Sequence, residues 1–235
     1  MSFNPYSWHP GRFLKTLVYF DVLPFSRCIR HWIQPNSMDS STSSASHNRS
    51  DGPILFDFTI MTPSDLKAIW GSLDDVVMGG VSSSQIQLGD RAALFTGNVS
   101  TANSGGFASV RTRNFDPPWD LAEYQGLNLR VKGDGQRYKF LMRCDAGWDS
   151  LAYSYSFDTV ADQWIEVYVP FSELIPVFRA RTVPGSQPFN AGRITSLQLM
   201  LSKFEYDGEL NPYFRSGPFL LQIEAIAAAR AATSS

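Results

Sequence analysis

Residues 125–144 read QGLNLRVKGDGQRYKFLMRC. Leu127, Leu129 and Val131 alternate with Asn128, Arg130 and Lys132. After Gly133-Asp134-Gly135 the alternation resumes, with Tyr138, Phe140 and Met142 interleaved among Arg137, Lys139, Leu141 and Arg143. Successive side chains on a strand point to opposite faces, so a period of two marks strands with one apolar and one polar face. Short segments of this kind, bounded by Gly, Pro, Asp and Asn, recur on both sides. They are 53–58, 84–88, 92–97, 106–113, 151–157, 163–169, 194–201 and 218–226. Ten short strands predict an antiparallel all-β sandwich or barrel. Helical signals are sparse. The best is 63–70, with Thr62 as cap, Pro63 in the first position and Asp65 in the first turn; a weaker one lies at 171–175.

The chain has 235 residues, of which 43% are hydrophobic and 14% aromatic, enough to bury one sizeable core. The net charge of −2 gives no bulk reason to expect a nucleic-acid binder. Its two cysteines, Cys28 and Cys144, build neither a disulfide framework nor a cysteine zinc site. All three histidines, His9, His31 and His47, precede the strands. A Ser-His-Asp triad, a Cys-His dyad or a histidine-ligated metal within the strand region is thereby excluded. No run of about 18 uncharged apolar residues is present.

Four regions are expected. Residues 1–35 form an amphipathic aromatic and basic segment, in which Phe13, Leu17, Phe20, Phe25 and Trp32 lie among Arg12, Lys15, Arg27 and Arg30. It is read either as lying on a membrane surface or in a partner groove, or as packing back on the sandwich. Residues 36–52 form a linker: seven of the 15 residues from 36 to 50 are Ser, too little apolar surface to offset ordering. Residues 53–228 form the sandwich and 229–235 a tail. The first 50 residues carry net +3 and the remainder net −5. Asp21 interrupts the early apolar run and no small-residue cleavage site closely follows, so the reading is intracellular rather than secreted.

Within the strand region, Asp74-Asp75 precedes Gly79-Gly80, and Gly105-Gly106 opens another strand. The acids read as loop hydrogen-bonders rather than an acid–base pair or a calcium site, since adjacent strand residues diverge and no Asp-rich loop occurs. The glycine pairs read as turns or close crossings, not as a phosphate cradle, because no helix follows.

The stretches DDVVMGGVSSS (74–84), FTGNVS (95–100) and GGFASVRTR (105–113), with YVPF (168–171) and GPFLLQIEAI (217–226), resemble the thirty-kilodalton complex I intermediate-associated protein family. The resemblance spans roughly residues 53–227. It implies a galactose-binding-like, jelly-roll β-sandwich and a role in assembling a membrane-bound electron-transfer complex, respiratory complex I or a photosynthetic equivalent. The partners it implies are protein subunits of an assembly intermediate, at the periphery of a membrane. The family has no established catalytic residues, so none is carried over; no enzyme activity, cofactor, metal or small-molecule substrate is expected.

The strand pattern also projects Arg111, Arg113, Arg130, Lys132, Arg137, Lys139 and Arg143 away from the apolar faces of 106–113, 125–132 and 137–144. If those strands are neighbours, they form a basic stripe for an acidic partner, lipid or RNA backbone. Otherwise the cations pair across strands with Glu166, Asp158 or Asp162. Trp148, in a polar loop, is the best surface aromatic. With Trp119, Tyr153 and Tyr155 it carries the alternative of a carbohydrate-binding module; the basic stripe carries that of an RNA-binding protein.

Overall fold

The computed structural model describes Tyr19 and residues 52–230. The five N-terminal aromatic and aliphatic candidates, Phe13, Leu17, Phe20, Phe25 and Trp32, lie outside the described residues, as does most of the Ser-rich stretch.

Two antiparallel sheets pack face to face. The first contains β1 (Ile54–Asp57), β3 (Ser83–Leu88), β4 (Ala93–Val99), β6 (Gly126–Lys132), β9 (Trp164–Pro170) and β13 (Gly217–Ala229), in the order β3-β4-β13-β6-β9, with β1 also on β13. The second contains β2 (Trp70–Ser72), β5 (Phe107–Thr112), β7 (Arg137–Arg143), β8 (Ala152–Asp158), β10 (Ile175–Phe178), β11 (Arg181–Thr182) and β12 (Ser196–Ser202), in the order β11-β10-β8-β7-β12-β5-β2. This is the sandwich the alternation predicts. The helix α1 (Pro63–Ile69) starts where expected: the Thr62 hydroxyl accepts from the Asp65 amide and Pro63 opens the first turn. The segment at 171–175 is only a 3₁₀ turn, Phe171–Glu173.

The core lies between the sheets. Leu127, Leu129 and Val131 of β6 meet Tyr138, Phe140 and Met142 of β7, all wholly buried, with Phe95, Leu197, Leu199, Leu221 and Ile223 among their neighbours. Each such side chain contributes about 1.5–3 kcal/mol relative to exposure. The long β13 organises the first sheet: it pairs with β4 over 217–223, with β6 over 222–229 and with β1 over 225–227, through a bulge between Ile223 and Ala225.

Consecutive strands β6 and β7 are not neighbours. The turn Gly133-Asp134-Gly135 carries the chain from one sheet to the other, with Gly135 left-handed at φ 83°. Asp134 fixes that crossing. Its carboxylate accepts from the Leu220 amide of the first sheet at 3.1 Å and from the Tyr138 hydroxyl of the second at 3.1 Å.

Candidate functional site

Between Leu73 and Ser84 the chain leaves the second sheet for the first, and its two acids are turned inward. The Asp75 carboxylate is fully buried. It accepts from the Ser82 amide (2.9 Å), the Ser82 hydroxyl (2.6 Å), the Gly106 amide (2.8 Å) and the Phe107 amide (3.3 Å). Asp74 accepts from the Ser84 amide (2.9 Å), the Ser84 hydroxyl (2.5 Å) and the Ser109 amide (3.1 Å). The Ser109 hydroxyl donates to the Leu73 carbonyl. The two motifs are therefore one device, which clamps 73–84 onto 105–109.

The glycines follow from that clamp. A Cβ at Gly80 would lie 2.3 Å from the Asp75 carboxyl group, and one at Gly105 would lie 2.5 Å from its Oδ2. Gly79 and Gly106 sit at positive φ, 90° and 141°. Carboxylates so fully engaged present neither an open acid–base pair nor ion ligands. Among the described residues, no group of three or more His, Cys, Asp or Glu is placed to hold a metal.

The seven expected cations do not form one stripe. β6, with Arg130 and Lys132, belongs to the first sheet, and β12 separates β5 from β7 in the second. On the first sheet Arg130 pairs with Glu166 at 3.0 Å and Lys132 with Asp162 at 3.6 Å. On the second, Arg137 reaches Asp158 at 2.6 Å and Glu205 at 3.1 Å. Burial pulls its guanidinium down, but the two carboxylates outweigh that and raise it.

Nor is the outer face of the second sheet an open surface. The segment after β12 folds back over it as a roof. Lys139, only 2% exposed, donates to the Phe204 and Glu205 carbonyls, both at 2.6 Å. Ser156 donates to Glu205 at 2.6 Å, and Tyr206 donates to Ser154 at 2.5 Å. Leu141, Ala152 and Val177 make a small second core with Met200 and Tyr206. Burial draws the Lys139 ammonium down to about 8, against partial support from Glu205.

A second group of cations lies beside the roof. Arg143 donates to the Gln198 side chain at 2.8 Å, and burial lowers it to about 10. Arg111, 2% exposed, donates to the Trp148 carbonyl at 3.1 Å. Burial, then the charge of Arg143, holds its guanidinium well below the usual range. Trp148 is half-buried, with the Arg111 guanidinium 5.9 Å from its ring centre. Trp119 stacks on Phe115 at 3.8 Å, and Tyr153 is buried. Trp119, Trp148 and Tyr153 thus have different ring neighbours, Phe115, Arg111 and Phe189.

Two features escaped the sequence reading. The first is a rim where the β10–β11 hairpin meets the roof. Phe178 and Phe204 are exposed by about a third, and Leu210 by 67%. Phe204 bridges to Leu210, and the Asp207 amide donates to the Ala180 carbonyl at 3.1 Å. Arg179 lies over Phe178 and Lys203 over Phe204. A shallow hollow between them is lined by Arg179, Ala180, Arg181, Phe204, Asp207 and Gly208. Exposed aromatic rings and arginines are enriched at protein interfaces. The sequence signal was Phe178-Arg179-Ala180-Arg181, too short to show periodicity.

The second is Tyr19. Its ring lies 4.0 Å from the Arg113 guanidinium, and its hydroxyl donates to the Lys67 carbonyl at 3.2 Å.

Comparison with known proteins places this geometry. The family model described as complex I intermediate-associated protein 30 matches residues 56–223, which spans both sheets. An uncharacterised protein of Schizosaccharomyces pombe is 32% identical over 149 residues, covering 57% of this chain and 68% of its own length. The family 11 carbohydrate-binding module of the cellulase Lic26A-Cel5E of Clostridium thermocellum superposes with a TM-score of 0.53 at 17% identity, covering 79% of this chain and 99% of that one. The Clostridium thermocellum family 11 module in complex with a β-1,3-1,4-mixed-linked tetrasaccharide gives 0.52 at 18% identity, over 75% and 95%. At such identities these two speak for the fold, a jelly-roll sandwich.

Proposed function

The chain belongs to the complex I intermediate-associated protein 30 family, and on that premise we propose that it acts as a non-catalytic assembly factor for a membrane-bound electron-transfer complex of the complex I type. It holds an exposed surface of an assembly intermediate until the next subunit covers it. The observation that carries this reading is the family match across nearly the whole sandwich, residues 56–223. The chemistry of the described residues is in keeping with it: the paired acids Asp74 and Asp75 are spent on backbone and serine donors.

The docking surface we assign is the rim of Phe178, Arg179, Arg181, Phe204 and Leu210, supported by its exposed rings and its exposed arginines, of which Arg179 is ion-paired with Asp149. Arg130 and Lys132, on the outer face of the first sheet, are a second contact zone, with ion pairs that a partner would have to exchange. The protein works at the periphery of its client membrane, within an organelle or the cytoplasm. No helix of the described residues is long and apolar enough to cross a bilayer.

Cross-linked capture from the native host tests the reading, with the full chain and a version beginning at Pro53. The reading expects subunits of one membrane complex. Subunits retained by both versions place docking on the sandwich. Subunits lost on truncation move it to residues 1–52. Recovery of glycans or transcripts in place of subunits overturns the assembly role.

A further inference from the structure

The contacts of Tyr19 define a small site on the outer face of the second sheet. Gly71 pairs with Arg111 across β2 and β5, so both face outward, as does Arg113 two residues on. A Cβ at Gly71 would lie 2.3 Å from the Tyr19 ring, and its three nearest atoms all belong to that ring. Gly71 is not among the glycines at positive φ, so its backbone does not call for glycine. Glycine within a strand often marks close approach of another group. Here that group is the ring. Arg113 supplies a cation at 4.0 Å from the ring centre, and the Lys67 carbonyl at the end of α1 accepts the phenol. Floor, wall and hydrogen-bond acceptor come from β2, β5 and α1, all positioned by the sandwich.

We infer that the β2–β5 edge is a recognition seat for the aromatic side chain of a peptide, and that its occupant in the free protein is this chain's own Tyr19. Tyr19 lies 48 residues before Lys67 in sequence. A partner within the same chain is presented at an effective concentration on the order of millimolar, enough to fill a seat of modest intrinsic affinity. An aromatic peptide in trans must compete with Tyr19 for the seat. The inference stands on these contacts whatever the client complex is.

Limited trypsin digestion of the full chain tests it, reading cleavage after Lys15 and Arg27. Tyr19→Ala and Gly71→Val are expected to be cut about tenfold faster than wild type, because cleavage follows the open population. Tyr19→Phe keeps the ring and is expected to stay within about threefold of wild type. Tyr19→Leu, apolar but not aromatic, is expected to follow Tyr19→Ala. Melting monitored by tryptophan fluorescence reports the sandwich; should Gly71→Val fail to fold, Arg113→Gln replaces it with the same expectation. Equal cleavage of wild type and Tyr19→Ala, or slow cleavage of a folded Gly71→Val protein, overturns the inference.

Discussion

Asp75 is a buried carboxylate with no cation in its hydrogen-bond set; four donors from two separate stretches of chain, Ser82 and Gly106-Phe107, replace water. Truncating it to Ala strands the Ser82, Gly106 and Phe107 amides, while the Ser82 hydroxyl still has the Ser100 carbonyl. Each stranded donor costs about 1–3 kcal/mol, so Asp75→Ala should lower unfolding free energy by at least about 3 kcal/mol, measured by urea titration. Asp75→Asn keeps one acceptor oxygen but turns an amide N–H₂ toward donors, and should fall between the two. Gly80→Ala and Gly105→Ala should each cost about 1–3 kcal/mol, because the added methyl meets the same carboxylate. The Asp pair and both Gly pairs were legible in the sequence as turn-fixing residues. Their joint role was not, because the donors at Ser82, Gly106 and Ser109 lie 7 to 35 residues away. Only folding brings them to one point.

Among the elements, the ten strands read from alternation all exist, and their apolar faces are the ones that meet in the core. β2, β10 and β11 were missed; runs of two to four residues are too short to show a period. Alternation tells which residues of a strand share a face, but not which strands adjoin. That is why the basic stripe dissolved: β6 crosses to the other sheet and β12 intervenes between β5 and β7. The roof over the second sheet was equally invisible, since nothing in Glu205-Tyr206-Asp207 announces which strands it covers.

Lys139 gives that roof a pH signature. Its ordinary value of 10.5 falls to about 8 in the folded protein. Between those values the unfolded chain holds the proton that the folded one has released, so stability rises with pH through that window. As pH falls through about 8, that part of the stability is lost. Relative to Lys139→Met, which cannot titrate, wild-type unfolding free energy should gain on the order of 1–3 kcal/mol from pH 8 to 10.5. A flat difference would contradict the buried ammonium. Separately, Thr62→Ala removes the cap of α1 and should cost about 1 kcal/mol, measured by urea titration at pH 7.

At the scale of the whole molecule, a basic, aromatic N-terminal segment precedes in sequence an acidic sandwich of the complex I intermediate-associated protein 30 family. The sandwich presents one rim where phenylalanines and arginines are exposed together, and a few such residues dominate binding at protein interfaces. Host cells lacking the protein provide the most direct measurement, with native gels that resolve the mature membrane complex and its intermediates. The account predicts that an intermediate accumulates and the mature complex falls. The full chain should restore it, and a Phe178→Ala/Phe204→Ala chain that folds normally should restore at most about a tenth as much. An unchanged level of mature complex in cells without the protein would contradict the assembly role.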